Sequence, residues 1–316
     1  MISRRELLMQ MAAVPFLAAA SQPRTPIAFD VPPGACDCHT HIFGDPKRFP
    51  MTPARVYTPE PAQVDEMRTL YRALHMDRVV IVQPSVYGTD NACTLEAVKQ
   101  LGPRARAIAV IDVETRGSDT MLADLDAAGV RGIRLNLETS GIADPSVGSQ
   151  RVRAALDRLR GSRWHIQMNT RLSMIDAIRA QVAGAPVRFV FDHFGGAQAP
   201  LGLDQPGFRS LLDLVRSGSA YVKISGAYRS STQAPNFPDV TPFAKALIAA
   251  NPQRVLWGTD WPHPDSAVVA GRKNTDIAPL LQVDDGALLN QLPVWAPDAA
   301  LRARILVSNP AELYGF

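Results

Sequence analysis

From residue 35 onward, short runs rich in β-branched and aromatic residues alternate with stretches whose apolar positions recur every three or four residues. The runs are Ala35–His41, Arg78–Pro84, Arg106–Val113, Val130–Leu137, Trp164–Thr170, Arg188–Phe194, Ala220–Gly226 and Arg254–Asp260. The intervening stretches, such as Ala62–His75, Ser118–Ala128, Gln150–Arg160, Leu172–Ala183 and Val240–Ala250, carry helical periodicity. Ser118 and Ser173 stand where helix caps belong. Eight strands separated by helices predict a single-domain α/β fold, a (β/α)8 TIM barrel over residues 34–316. An open doubly wound sheet normally shows a glycine-rich first turn. The first run here leads instead into His-Ile-Phe-Gly-Asp-Pro.

Alternation within each run predicts which side chains look into the barrel. Asp37, His39 and His41 share one face of the first run, and Cys36, Cys38 and Thr40 the other, away from the barrel axis. Arg134 and Asn136 point inward from the fourth run, and His165, Gln167 and Asn169 from the fifth. Phe189, Phe191 and His193 fall together on the sixth, and Lys223 points inward on the seventh, with no role attached. Polar residues thus gather at the C-terminal strand ends, where barrel enzymes place their chemistry.

Composition narrows the class. Of 316 residues, 46% are hydrophobic and 20% charged, which excludes a disordered chain. A formal charge of +3 without a dense Lys/Arg block gives no case for nucleic acid. No run of 18 apolar residues marks a membrane span. Three cysteines are too few for a disulfide scaffold. The oligomeric state has no signature. Residues 1–20 read differently: Arg4-Arg5 precedes a moderately apolar stretch ending in Ala18-Ala19-Ala20, as in a twin-arginine export signal. Residues 21–33, with Pro23, Pro26, Pro32 and Pro33, read as a linker. The expected compartment is the periplasm.

His39-Thr40-His41 is the sharpest local signal. Two imidazoles two residues apart on a strand reach the same side. His193 and Asp260 close the sixth and eighth runs. Together the four residues form a set able to hold one Zn2+ with an open position for water. Asp260 is then the general base or a ligand sharing that task. A second cation would sit beside the inward Arg134 and be repelled by it, so a two-metal centre is not expected.

Asp37-Cys38-His39-Thr40-His41-Ile42-Phe43-Gly44, Phe191-Asp192-His193-Phe194-Gly195 and Trp257-Gly258-Thr259-Asp260-Trp261-Pro262-His263-Pro264 resemble the amidohydrolase superfamily. Within it they are most similar to the 2-pyrone-4,6-dicarboxylate lactonase group and its sugar-acid lactone relatives. The resemblance implies a barrel hydrolase acting on a small lactone that bears a carboxylate. It assigns catalysis to His39, His41, His193 and Asp260, with a metal that is not obligatory. It implies substrate contacts from Tyr57 and Thr58 in the loop after the first strand, and from Ser85, Arg134 and Arg229. Asn169 stands where those lactonases carry a Tyr, and Glu138-Thr139-Ser140-Gly141 lacks their second Arg. His263 is weighed between contact with substrate or with the residues that hold it, on one side, and turn structure on the other. Ser225-Gly226-Ala227-Tyr228-Arg229-Ser230-Ser231 resembles the lactone-isomerase branch, so isomerase and metal-dependent decarboxylase chemistries stand as alternatives.

Overall fold

A computed structural model describes residues 20–115, 119–267 and 269–316. The expected leader, apart from Ala20, and the expected cap Ser118 lie outside those residues. The strands are β1 (Cys36–Thr40), β2 (Thr58–Pro59), β3 (Arg78–Val82), β4 (Ala105–Ala109), β5 (Val130–Asn136), β6 (His165–Asn169), β7 (Phe189–Phe191), β8 (Ala220–Ser225), β9 (Val255–Gly258) and β10 (Ile277–Ala278). All but β2 and β10 form one parallel sheet in chain order, β1-β3-β4-β5-β6-β7-β8-β9. A parallel bridge between Thr40 and Trp261 brings its two edges together. There the Asp260 N–H donates to the His39 carbonyl and the His41 N–H to the Trp261 carbonyl, both at 2.8 Å. This is the expected TIM-barrel architecture.

Helices run between the strands and cover the barrel's outer face. Val64–Leu74 shows the packing: Val64, Met67, Leu70, Tyr71 and Leu74 form its buried stripe, and its first turn is closed by a Gln63/Glu66 capping box. The predicted helix at Gln150 starts five residues earlier, because Asp144 caps it and Pro145 supplies its first turn. The long loop after β1 is pinned twice. Phe43 pairs with Ala62, and β2 pairs with β10.

The alternation expected for β1 is corrected. Cys36 and Cys38 face the barrel interior, packed with Val80, Val82, Ile108, Val190, Tyr221, Leu256 and Tyr314. The inner face begins at Cys36, one residue out of the expected phase, and a bulge follows it: β1 advances from Asp37 to Thr40 while β3 advances only from Val79 to Ile81. One extra residue shifts the later part of the strand to the other parity. His39 therefore joins Cys38 on the inner side, and Asp37 turns instead to Thr259, whose Oγ1 donates to it at 2.6 Å. The sixth run is corrected too. Phe189 and Phe191 pack outward under the helices, Val190 points inward, and β7 ends before His193.

Candidate active site

Each catalytic candidate is held by a backbone feature at the C-terminal mouth. His41 follows β1, and its Nδ1 lies 2.7 Å from the Val82 carbonyl. A carbonyl offers no hydrogen, so Nδ1 is the donor and the neutral ring leaves its lone pair on Nε2. His193 follows β7 with φ 47°, and Asp260 follows β9 with φ 68°. Both backbones take the left-handed turn that swings a side chain out of strand alternation. Gly226, at φ +58°, makes room for both: a Cβ there would lie 2.8 Å from His193 Nδ1 and 3.2 Å from Asp260 Oδ2. His193 Nδ1 is 3.0 Å from Ser225 Oγ.

The two oxygens of Asp260 face different partners. Oδ2 accepts from the Tyr228 hydroxyl at 2.6 Å and from Arg229 Nε at 2.5 Å. Oδ1 faces three imidazoles, with His39 Nε2 and His41 Nε2 at 3.5 Å and His193 Nε2 at 3.8 Å. Burial opposes ionisation of Asp260, yet Arg229 and the imidazoles hold its carboxyl well below the usual range. Burial drives His193 down to about 4 and lowers His39 and His41 as well. At neutral pH a carboxylate therefore confronts neutral imidazoles.

Beneath them lies a second ionic layer. Lys223, fully buried on β8, donates from Nζ to Gln167 Oε1 at 2.7 Å, and lies 3.3 Å from His39 Nδ1 and 3.4 Å from Asp192 Oδ1. Asp192 is also 3.2 Å from His39 Nδ1, and it pairs with Arg134 Nη2 at 3.3 Å. Burial works against the Asp192 charge, but His39, Lys223 and Arg134 hold it ionised, well below the usual carboxylate range. Burial likewise lowers Lys223. Asp192 was visible in the sequence as the residue before His193 and in phase with Val190, but nothing local marked it as functional.

Two donor groups among the described residues are compact enough for a cation: His39–His41–Asp260 and His39–Asp192–His193. The first fits a metal on independent grounds. His39 Nε2 and Asp260 Oδ1 are buried without a hydrogen-bond partner. The His41 lone pair also points at that oxygen. Lone pairs converging on a carboxylate need a positive centre between them. With His193 Nε2 at 3.8 Å from the same Oδ1, three imidazole nitrogens and one carboxylate oxygen form a donor set suited to a first-row divalent ion.

Residues 36–316 match the amidohydrolase family. The chain belongs to that family. It is 36% identical to a 4-sulfomuconolactone hydrolase of Rhizobium radiobacter over 295 residues, covering 92% of this chain and 93% of that one. A 2-pyrone-4,6-dicarboxylate hydrolase of Comamonas testosteroni is 33% identical, covering 90% and 92% of the two chains. A D-galactarolactone isomerase of Agrobacterium fabrum is 30% identical, covering 90% and 91%. Among solved structures, an apo protein of Agrobacterium tumefaciens superposes with a TM-score of 0.73 at 28% identity, covering 93% and 98%.

In this amidohydrolase the remaining candidates separate by position. A cleft of about 950 Å³ opens at the mouth, lined among others by His193, Tyr228, Arg229, Asn169, Glu138 and Arg171. Tyr57 is buried near Ser85 and lies within the fields of Arg229, Arg134 and Asp260. Asn169 donates to Asn136 Oδ1 at 2.9 Å and to Thr139 Oγ1 at 3.3 Å. Thr58 is engaged elsewhere: its hydroxyl accepts from Arg55 Nε and donates to the Asn274 carbonyl at 2.6 Å, which ties β2 to the segment before β10. His263 lies behind the site, bonded to Asp285 at 3.0 Å and edge-on to the Tyr228 ring. Its N–H donates to the Asp260 carbonyl at 2.9 Å, but its ring reaches the Asp260 carboxylate only through Tyr228. Sequence reasoning passed over Tyr228, although it sits directly before Arg229.

Proposed function

We propose that this enzyme is a lactonase that opens a small lactone bearing an acid group, by attack of a water that Asp260 deprotonates. The observation that carries the reading is the split environment of Asp260. With Oδ2 engaged by Tyr228 and Arg229, Oδ1 is the oxygen left to accept a proton among the imidazoles. The names of the relatives, two lactone hydrolases among them, support the substrate class. His41 donates its ring hydrogen to Val82, so its neutral ring cannot polarise a carbonyl from Nε2. That favours a single Zn2+ held by His39, His41, His193 and Asp260. When bound, the ion supplies Lewis-acid polarisation and lowers the pKa of water. Arg229 Nη1 and Nη2 make only long contacts, 3.3 Å to Ser266 and 3.4 Å to Pro264, and remain for the acid group of the substrate. Tyr57 and Ser85 would flank the ring.

The test is a panel of acid-bearing lactones in 18O-labelled water. The wild type incorporates one label per turnover, and Asp260→Asn falls by roughly 10²–10⁴. Equal turnover by both proteins removes Asp260 from the mechanism. The likeness to a galactarolactone isomerase favours a second reading, in which an acyl oxygen moves between hydroxyls of one sugar acid. Turnover without label would establish that reading instead.

A further inference from the structure

We infer that Lys223 is a resident cation filling a latent second metal position, the lower donor group His39–Asp192–His193. Its donor atoms, like those of the upper group, lie within 4.8 Å of one another, and all three residues are buried. The two differ in what already faces the donors. Asp260 Oδ1 and His39 Nε2 in the upper group and Asp192 Oδ1 in the lower all lack a hydrogen-bond partner. In the lower group Lys223 Nζ stands 3.4 Å from Asp192 Oδ1 and 3.3 Å from His39 Nδ1, its position set by a 2.7 Å bond to Gln167 Oε1. An ammonium carries three hydrogens and no lone pair, so it can serve Gln167 and Asp192 as a donor and cannot itself ligate a metal. Arg134 adds a second positive charge to Asp192 at 3.3 Å. The single carboxylate of this group is thus matched by two cations, and a dication entering beside them meets repulsion at contact distance.

The arrangement also orients the shared ligand. The Asp192 carboxylate lies 3.2 Å from His39 Nδ1, which favours a ring hydrogen there and leaves the His39 lone pair on Nε2 toward Asp260. Lys223 reaches this place from β8, 184 residues along the chain from His39.

Zinc counted by elemental analysis after equilibrium dialysis tests the inference on the full chain. Lys223→Met should bind one equivalent more than the wild type, and Lys223→Met/Asp192→Asn should return to the wild-type count. Identical counts in the wild type and the single variant would overturn it. Lys223→Gln, which keeps a hydrogen-bonding side chain, provides a second readout if the Met variant folds poorly. Its Tm should climb with added Zn2+ beyond the climb of the wild type, and parallel climbs would overturn the inference as well. The inference rests on the upper group being the metal site only for the absolute count. A wild type holding no zinc sinks the upper reading, whereas the increment of one still reports on Lys223.

Discussion

Tyr228 donates its phenolic hydrogen to Asp260 Oδ2 at 2.6 Å, on the oxygen that Arg229 also bonds and opposite the imidazole-facing one. The ring is held in turn by His263, edge-on at 5.4 Å between centroids, and His263 by Asp285. Burial raises the Tyr228 pKa well above its ordinary value, so the hydroxyl remains a donor throughout the working pH range.

Removing that donor tests its role. A hydrogen bond to a charged group contributes about 1.5–3 kcal/mol. Tyr228→Phe should therefore raise the Asp260 pKa and move the acid limb of the kcat/KM profile to higher pH, by roughly one unit or more. The plateau should change less than the limb. An unmoved limb in the variant would show that Tyr228 only fills space.

Gly226 supports a steric prediction. Its φ of +58° disfavours any Cβ, and a Cβ there would press on His193 Nδ1 at 2.8 Å. Gly226→Ala should displace His193, lowering kcat by ten-fold or more and weakening metal retention in dialysis, with about 1–2 kcal/mol lost in stability. Wild-type kcat and metal content in this variant would show that the turn relaxes freely.

Asp37 and His193 predict opposite pH dependences of stability. Burial, reinforced by the Asp285 charge, raises Asp37 to about 7 against the donors of Thr259 and His39. Between about 4 and 7 the folded protein then keeps a proton that the unfolded chain releases, so stability falls as pH rises, by at most about 1.4 kcal/mol per pH unit. His193, lowered to about 4, has the reverse sign: the unfolded chain binds more protons between about 4 and 6.5, and stability falls on acidification. Asp37→Asn can still accept from the His39 and Thr259 N–H groups and donate to Thr259 Oγ1. It should leave only the acid-side loss, so that its Tm exceeds that of the wild type above pH 7 and the difference shrinks toward pH 4. A constant offset across this range would show that Asp37 does not titrate there.

Export is a separate proposal, resting on Arg4-Arg5 and the small residues Ala18-Ala19-Ala20. Arg4→Lys/Arg5→Lys should retain the protein in the cytoplasmic fraction, while the wild type fractionates with the periplasm and lacks Met1 at its N-terminus. Identical fractionation of both, with Met1 intact, would place the enzyme in the cytoplasm. Cys36 and Cys38 are compatible with an oxidising compartment because both are fully buried, there inside the barrel and not under the helices.

The barrel, the His39/His41 pair and the strand-end positions of His193 and Asp260 were legible along the chain, because apolar periodicity and short motifs are local properties. The sides they face were less so. Period-two alternation put Cys36 and Cys38 outside, whereas both face inward, and one extra residue between Asp37 and Thr40 lets His39 join them. His193 was grouped with Phe189 and Phe191, whereas its ring enters the site through a left-handed backbone turn after β7. Thr58 lay in the expected substrate loop, but a carbonyl 216 residues away holds its hydroxyl.

Residue order alone therefore determined the strand count, the family motifs and the chemical types gathered at the barrel mouth. The tertiary structure decided which atom meets which: Asp260 Oδ1 against three imidazoles, Oδ2 against Tyr228 and Arg229, and Lys223 against Asp192 and His39. Those contacts join strands far apart in sequence. They depend on bulges and positive-φ turns that shift a side chain to the opposite face, a change for which local hydrophobic periodicity carries no signal.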